Sequence, residues 1–201
     1  MRITNIKQQI RRADRYSIFI DGKYSFSLGE AALLSEGLAS GQELDESRLC
    51  RLKEASGADK AYGNALRYVA MRPRSVWEVR TYLQRKDVDE PVAEGIIKRL
   101  EAVGLLDDNE FARSWTASRR LLKSISKRKL RMELQQKRVP EAIIGSVLQE
   151  DKTDERQTLR GLIAKKRGRY PDQAKLMQYL ARQGFGYDDI KSAMQESAED
   201  Y

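Results

Sequence analysis

The sequence predicts a mainly α protein in which three tandem three-helix units form an elongated, curved array, preceded by a small N-terminal segment of β-hairpin and short helices. Three observations carry this. The stretch SVWEVRTYLQRKDV at 75 to 88 returns as SKRKLRMELQQKRV at 126 to 139, an offset of 51, and as DQAKLMQYLARQGF at 172 to 185, a further offset of 46. A period of that size is a mark of helical repeats, whose units have too little core to stand alone and stack on their neighbours. β-favouring segments, by contrast, occur only near the N-terminus. Finally, 40% hydrophobic, 34% charged and 7% aromatic residues describe a folded, well-solvated chain whose core is built from Leu, Ile, Val and Ala.

Four regions are expected: an N-terminal module at 1–60 and repeats at 61–106, 107–152 and 153–201. In the module, YSIFI and YSFSL flank DGK, and Asp21-Gly22 suits a type I′ turn, whose two central residues need positive φ. Tyr16, Ile18 and Ile20 alternate onto one face, and ITNIKQQI is a candidate third strand. GEAALLSEGL and DESRLCRLKEA then read as short helices, the second capped by Asp45. Two or three strands are marginal alone, so this module needs the rest of the chain or a partner.

Each repeat opens with a helix (AYGNALRYVAMR, NEFARSWTASRRLL, DERQTLRGLIAKKR). The second helices start at the N-caps Ser75, Ser126 and Asp172, with Ser75 and Glu78 forming a capping box and Pro73 and Pro171 just upstream. Their apolar pairs are Val79/Leu83, Leu130/Leu134 and Leu176/Leu180; those of the third helices are Val92/Ile96, Ile143/Val147 and Ile190/Met194. Between the first two repeats, Gly104 ends one helix, Asp107 caps the next, and Glu110 completes a capping box. The carboxylates Asp107, Asp108 and Glu110 are thereby read as helix-start chemistry, not as a metal or acid–base site. GFG at 184 to 186 is read as a turn between helices.

Histidine is absent, which removes the commonest general base and zinc ligand, and no Walker-type glycine loop occurs. No enzyme, catalytic residue, metal or cofactor is expected. The single Cys50 is expected to be a small buried hydrophobe. No segment approaches eighteen consecutive apolar residues, and the start MRITNIKQQIRR lacks an apolar signal region, so a cytoplasmic protein without membrane attachment is expected.

The net charge of +8 is uneven. Residues 1 to 60 hold ten cations against nine anions, but 110 to 140 hold ten against two and 152 to 182 nine against three. Cationic faces of this density attract polyanions, nucleic acid foremost.

ALRYVAMRPRSVWEVRTYLQRKDV followed by IIKRLEAVGLLDDNEFARSW resembles the RecX family of bacterial recombination regulators, through the Arg-Pro-Arg-Ser-x-x-Glu-Val-Arg segment and the Gly-Leu-Leu-Asp-Asp-x-x-Phe-Ala joint. The likeness covers residues 61 to about 196, is specific in the first two repeats and weak in the third. Leu105 stands where an aromatic is commoner, and the joint QEDKTDE is unusually acidic. The resemblance implies a non-enzymatic regulator that binds the RecA–single-stranded DNA filament and inhibits recombinase, ATPase and coprotease activity; a monomer is expected, and double-stranded DNA is a further candidate partner. It places the protein in DNA repair by homologous recombination and the SOS response. A tandem array suits such a partner, because each unit binds at high effective concentration once its neighbour is engaged.

The candidate filament- or DNA-binding residues are the cations off the apolar faces: Arg72, Arg74, Arg80, Lys86, Arg119, Arg120, Lys123, Lys127, Arg128, Lys129, Arg131, Lys137, Lys165, Lys166, Arg167 and Arg169. Arg80 and Arg131 share a repeat position, as do Lys86 and Lys137. Trp77 and Trp115 are expected to pack rather than to stack on bases. The alternative is a direct DNA-binding protein whose three-helix units act like homeodomain readers, against which the exposed faces of the three second helices differ.

Overall fold

The structure, a computed structural model, describes residues 1–199; the last two positions of the third predicted repeat lie outside the described residues. Chain contacts divide it into two units, one of Met1–Arg72 with Val79–Leu105, the other of Pro73–Glu78 with the residues from Leu106 onward.

The first unit begins with an antiparallel sheet of β1 (Ile3–Gln9), β2 (Arg12–Ile20) and β3 (Lys23–Gly29) in that order. Asp21 and Gly22 both have positive φ, as the β2–β3 turn requires. Ile18, Ile20, Phe26 and Leu28 turn to one face and bury against Leu38, Leu44 and Leu52. After α1 (Glu30–Ser35), Asp45 caps α2 (Glu46–Ala70), its carboxylate accepting from the Arg48 N–H at 2.6 Å.

Here the structure corrects the sequence reading: the short helix after Asp45 and the first helix of repeat one are a single helix of 25 residues. The intervening ASGADK lacks apolar periodicity because its contacts to the sheet are polar. Ser56 Oγ donates to the Ser27 carbonyl at 2.7 Å, and Asp59 accepts from Gly29 N–H and from Arg15 at 2.8 Å each. Arg15 is only 3% exposed, so this pair fixes the sheet to the middle of α2. Further along, α2 buries Ala61, Ala65 and Val69. The same reorganisation leaves Cys50 on the outer face, exposed rather than buried. The unit closes with α3 (Val76–Gln84), whose Val79 and Leu83 are fully buried, and α4 (Glu90–Ala102), which packs on α2.

In the second unit, α5 (Asp108–Leu122), α6 (Lys127–Gln136) and α7 (Glu141–Glu150) form one three-helix repeat. The other consists of α8 (Glu155–Arg167), α9 (Gln173–Arg182) and α10 (Tyr187–Glu199). Each encloses its own apolar cluster, centred on Leu130, Leu134 and Ile144 in the first and on Leu176, Leu180 and Ile190 in the second. The third-helix stripes fall slightly off the expected pairs. Val92, Ile143 and Met194 are half-buried, while Ala93/Ile97 and Ile144/Leu148 face inward.

All three second helices end alike: Asp87, Arg138 and Gly184, at the same repeat position, have φ of 53°, 56° and 93°. The residue after each donates back to the last buried leucine's carbonyl (Val88 to Leu83, Val139 to Leu134, Phe185 to Leu180), which closes the helix with a left-handed cap.

Candidate nucleic-acid interface

The site is built on the helix starts. Ser75 Oγ accepts from Glu78 N–H at 3.2 Å and Ser126 Oγ from Lys129 N–H at 3.1 Å; Asp172 accepts from Ala174 and Lys175. The Ser75–Glu78 box closes with Ser75 N–H on the Glu78 carboxylate at 3.4 Å. Asp107 caps α5 through Asn109 N–H at 2.7 Å, but no return bond from Glu110 completes the expected box among the described residues.

Within the second unit the N-terminus of one repeat's second helix is completed by the next repeat, twice by the same scheme. Asp108 accepts from Val76 N–H at 2.9 Å, and Glu155 accepts from Lys127 N–H at 2.6 Å. Ser75 Oγ donates to the Lys137 carbonyl at 3.0 Å, and Ser126 N–H to the Gln183 carbonyl at 3.1 Å. The acidic joints therefore satisfy orphan N–H groups of an adjacent helix. That role was invisible in sequence because donor and acceptor lie 28 and 32 residues apart.

The cation-rich windows are tempered by the same folding. Arg113 pairs with Glu150, Arg119 with Glu133, Arg120 with Asp151, Arg131 with Glu141, and Lys137 with Glu78. Most of these carboxylates lie outside residues 110 to 140, so a window count overstated the patch. Arg80 and Arg131 do share a role, but it is internal. Each bonds the glutamate ten residues on (Glu90, Glu141), which also accepts from Gln84 or Gln135. This arrangement ties second helix to third.

Arg120 is the least available candidate, 14% exposed, with two bonds to Asp151 at 2.9 and 2.5 Å and one to the Ile125 carbonyl. Burial pushes the Asp151 carboxyl up, but bonds from Thr153 and Arg120 outweigh it and hold it below the usual range. Arg119 and Lys137 lie over the Trp115 ring, whose Nε1 donates to Glu133 at 3.0 Å; Trp115 thus packs as expected. Trp77 is more open, at 39% exposed.

Among the remaining candidates, Lys123, Arg128, Lys129, Lys165 and Arg169 have no ion pair among the described residues. Lys165, Lys166 and Arg167 occupy the last turn of α8, where cations complement the helix dipole, and Lys166 approaches the Tyr179 ring. Arg72 is exposed and Arg74 half-buried. Lys86 lines a groove of about 820 Å³ in the first unit together with Lys60, Glu54, Asp87 and Asp89, where acids outnumber bases.

The structure brings three candidates together. Lys127, Arg128 and Arg131 line an open groove of about 450 Å³ between α6 and α7, with Gly145, Leu148 and Gln149 and no carboxylate among the lining residues, Arg131 being paired with Glu141 and Lys127 Nζ donating to the Asp151 carbonyl at 2.6 Å. At Gly145 nothing lies within 4 Å of where a Cβ would stand, so bare backbone forms the floor. A glycine inside a helix lowers stability relative to alanine, and here it leaves the helix backbone open to solvent. Sequence reasoning missed it; a glycine interrupting an otherwise strong helix was the available signal.

Tandem three-helix repeats, each with its own capped second helix and apolar cluster, define a helical-repeat protein. Family models identify which. Regulatory protein RecX N-terminal domain matches residues 1–45, and the first, second and third RecX three-helix domains match 61–100, 107–148 and 154–194. Regulatory protein RecX of Halalkalibacterium halodurans is 39% identical over 150 residues, covering 73% of this chain and 56% of that protein. The Bacillus cytotoxicus protein of the same name is 31% identical over 209 residues, 98% of this chain and 77% of that one. A crystal structure of regulatory protein RecX superposes with a TM-score of 0.75 at 29% identity, covering 95% of this chain and 98% of the other. That of RecX from Lactobacillus salivarius gives 0.61 at 27%, covering 71% and 97%. The chain belongs to the RecX family, a family of regulatory proteins.

Proposed function

We propose that this protein is a non-enzymatic regulator that binds the RecA–single-stranded DNA filament and inhibits its recombinase, ATPase and coprotease activities. Family membership supports the partner. The observation that carries the mode of binding is the groove of Lys127, Arg128 and Arg131 over Gly145, where three of the expected cations converge with no acid among the lining residues. Phosphates of a strand held in the filament provide the complementary charge, and counterion release supplies part of the affinity. Homeodomain-like reading of base edges is disfavoured, because the exposed faces of the three second helices differ and present no common set of base-reading side chains.

The test is joint charge reversal of Arg128, Lys129 and Arg131 to Glu. Leu130 and Leu134 stay in place, so the variant should remain helical by circular dichroism. It should lose most inhibition of filament ATP hydrolysis at moderate salt and show a shallower dependence of affinity on salt. A folded triple variant that inhibits like the parent would remove this groove from the binding surface.

A further inference from the structure

We propose that Arg12 and Arg67 form a second oxyanion site, in the first unit, which takes a phosphodiester of a nucleic-acid strand.

Three positions one turn apart on a face of α2 frame the start of β2. Asp59 accepts from Arg15 and from the Gly29 N–H, both on Oδ2. Gly63 follows, and the Arg12 guanidinium lies along the helix beside it, with Nη2 3.6 Å from where a Cβ would stand, an ordinary contact. Arg67 comes next, exposed, with Nη2 oriented by the Asn64 Oδ1. Arg12 Nη2 is buried and has no hydrogen-bond partner, and no ion pair among the described residues includes Arg12. A buried donor left unmade is costly, and more so when charged. Burial, then the fields of Arg67 and Arg15, lower the Arg12 guanidinium from its ordinary value against the opposing fields of Asp14 and Asp59. The place next to Arg12 and Arg67 therefore holds an excess of positive charge, which an anion would relieve.

Phosphate is the anion that best matches guanidinium forks. The neighbouring turn adds two features suited to a strand rather than a free ion. Arg11 is exposed, and Ile10 projects fully into solvent as an apolar contact for sugar or base. That the phosphate belongs to a nucleic acid rests on the function proposed above; the anion site itself does not.

The experiment uses the full chain, the single variants R12Q and R67Q, and the double variant. In chloride the double variant should melt at or above the parent, because a buried unpaired donor and a like-charge contact are relieved. Inorganic phosphate, at ionic strength matched with chloride, should raise the parental Tm and leave the double variant unmoved. Affinity for a fluorescent single-stranded oligothymidylate should fall about tenfold in the double variant, and the salt slope should shrink by about 1.4, the value for two phosphate contacts on a single strand. No phosphate response in the parent together with parental strand affinity in the variant overturns the site. A phosphate response without any change in strand binding overturns the nucleic-acid assignment and leaves a free oxyanion as ligand. A lower Tm of the variant in chloride marks both arginines as packing residues and overturns the proposal. Loss of filament inhibition on reversal in the α6–α7 groove with no effect of R12Q/R67Q defeats only this site, and the converse defeats only the groove.

Discussion

Two glycines with positive φ show how surroundings decide the meaning of a residue. Gly104 and Gly184 both end helices in the left-handed region, at φ of 70° and 93°. Around Gly104 nothing lies within 4 Å of a Cβ, so Gly104→Ala should cost only the conformational strain, about 1 kcal/mol. A Cβ on Gly184 would meet Ser126 Oγ at 2.4 Å and the Lys129 backbone N at 2.9 Å, forcing α6 away from the turn after α9. Gly184→Ala should therefore cost roughly 2–4 kcal/mol. Chemical denaturation of the two variants checks the contrast, and equal losses would show that the turn does not abut the Ser126 cap. At the equivalent position Arg138 carries a side chain at φ 56°, so Arg138→Gly should be neutral or stabilising by up to about 1 kcal/mol.

Elements in the second unit meet through charges whose titration is predictable. The Asp151 carboxyl is held below its ordinary value, so its pairing contributes stability above the unfolded carboxylate pKa, and that contribution is lost as pH falls through the folded value. Melting followed from pH 7 downward should show the parent losing Tm below about pH 4. Asp151→Asn should flatten part of that loss while costing roughly 3 kcal/mol at neutral pH, because Arg120 would stay largely buried with its ion pair broken. Unchanged acid sensitivity in Asp151→Asn would assign the transition to other carboxylates. On α7, Gly145→Ala should raise stability by up to about 1 kcal/mol through helix propensity. If the groove is the binding surface proposed above, a bulky Gly145→Leu should fill its floor and weaken filament binding without unfolding.

Across the whole molecule, charge and core act over different ranges. Leu134 is fully buried in the cluster of α5–α7, and Leu134→Ala should cost roughly 2–5 kcal/mol. The cluster of α8–α10 is separate, but Ser126 and Lys127 anchor to Gln183 and Glu155 across the joint. Hydrogen exchange should therefore show protection lost beyond 107–152, into α8 and α9; loss confined to 107–152 would mean the repeats open independently. Single Ala replacements of exposed cations should change binding little, each solvated pair being worth about 1 kcal/mol or less. The net charge of +8 should appear as a steep fall of filament affinity with salt.

What the sequence determined by itself was the repeat, and with it most of the fold. The caps at Ser75, Ser126 and Asp172, the leucine pairs behind them and the Asp21-Gly22 turn are local devices, written within a few residues and governed by local sterics and hydrogen bonding. The RecX resemblance rested on such local motifs. What only the tertiary structure decided was pairing at a distance. ASGADK looked like a break in α2 because its partners Arg15, Ser27 and Gly29 lie in the sheet. The basic windows looked free because Glu78, Glu141, Glu150 and Asp151 lie on other elements. The groove over Gly145 and the unpaired Arg12 likewise exist only once helices and strands are packed. Coulomb attraction and hydrogen bonding act through space, so the charges that remain to bind a partner are those the fold leaves unmatched.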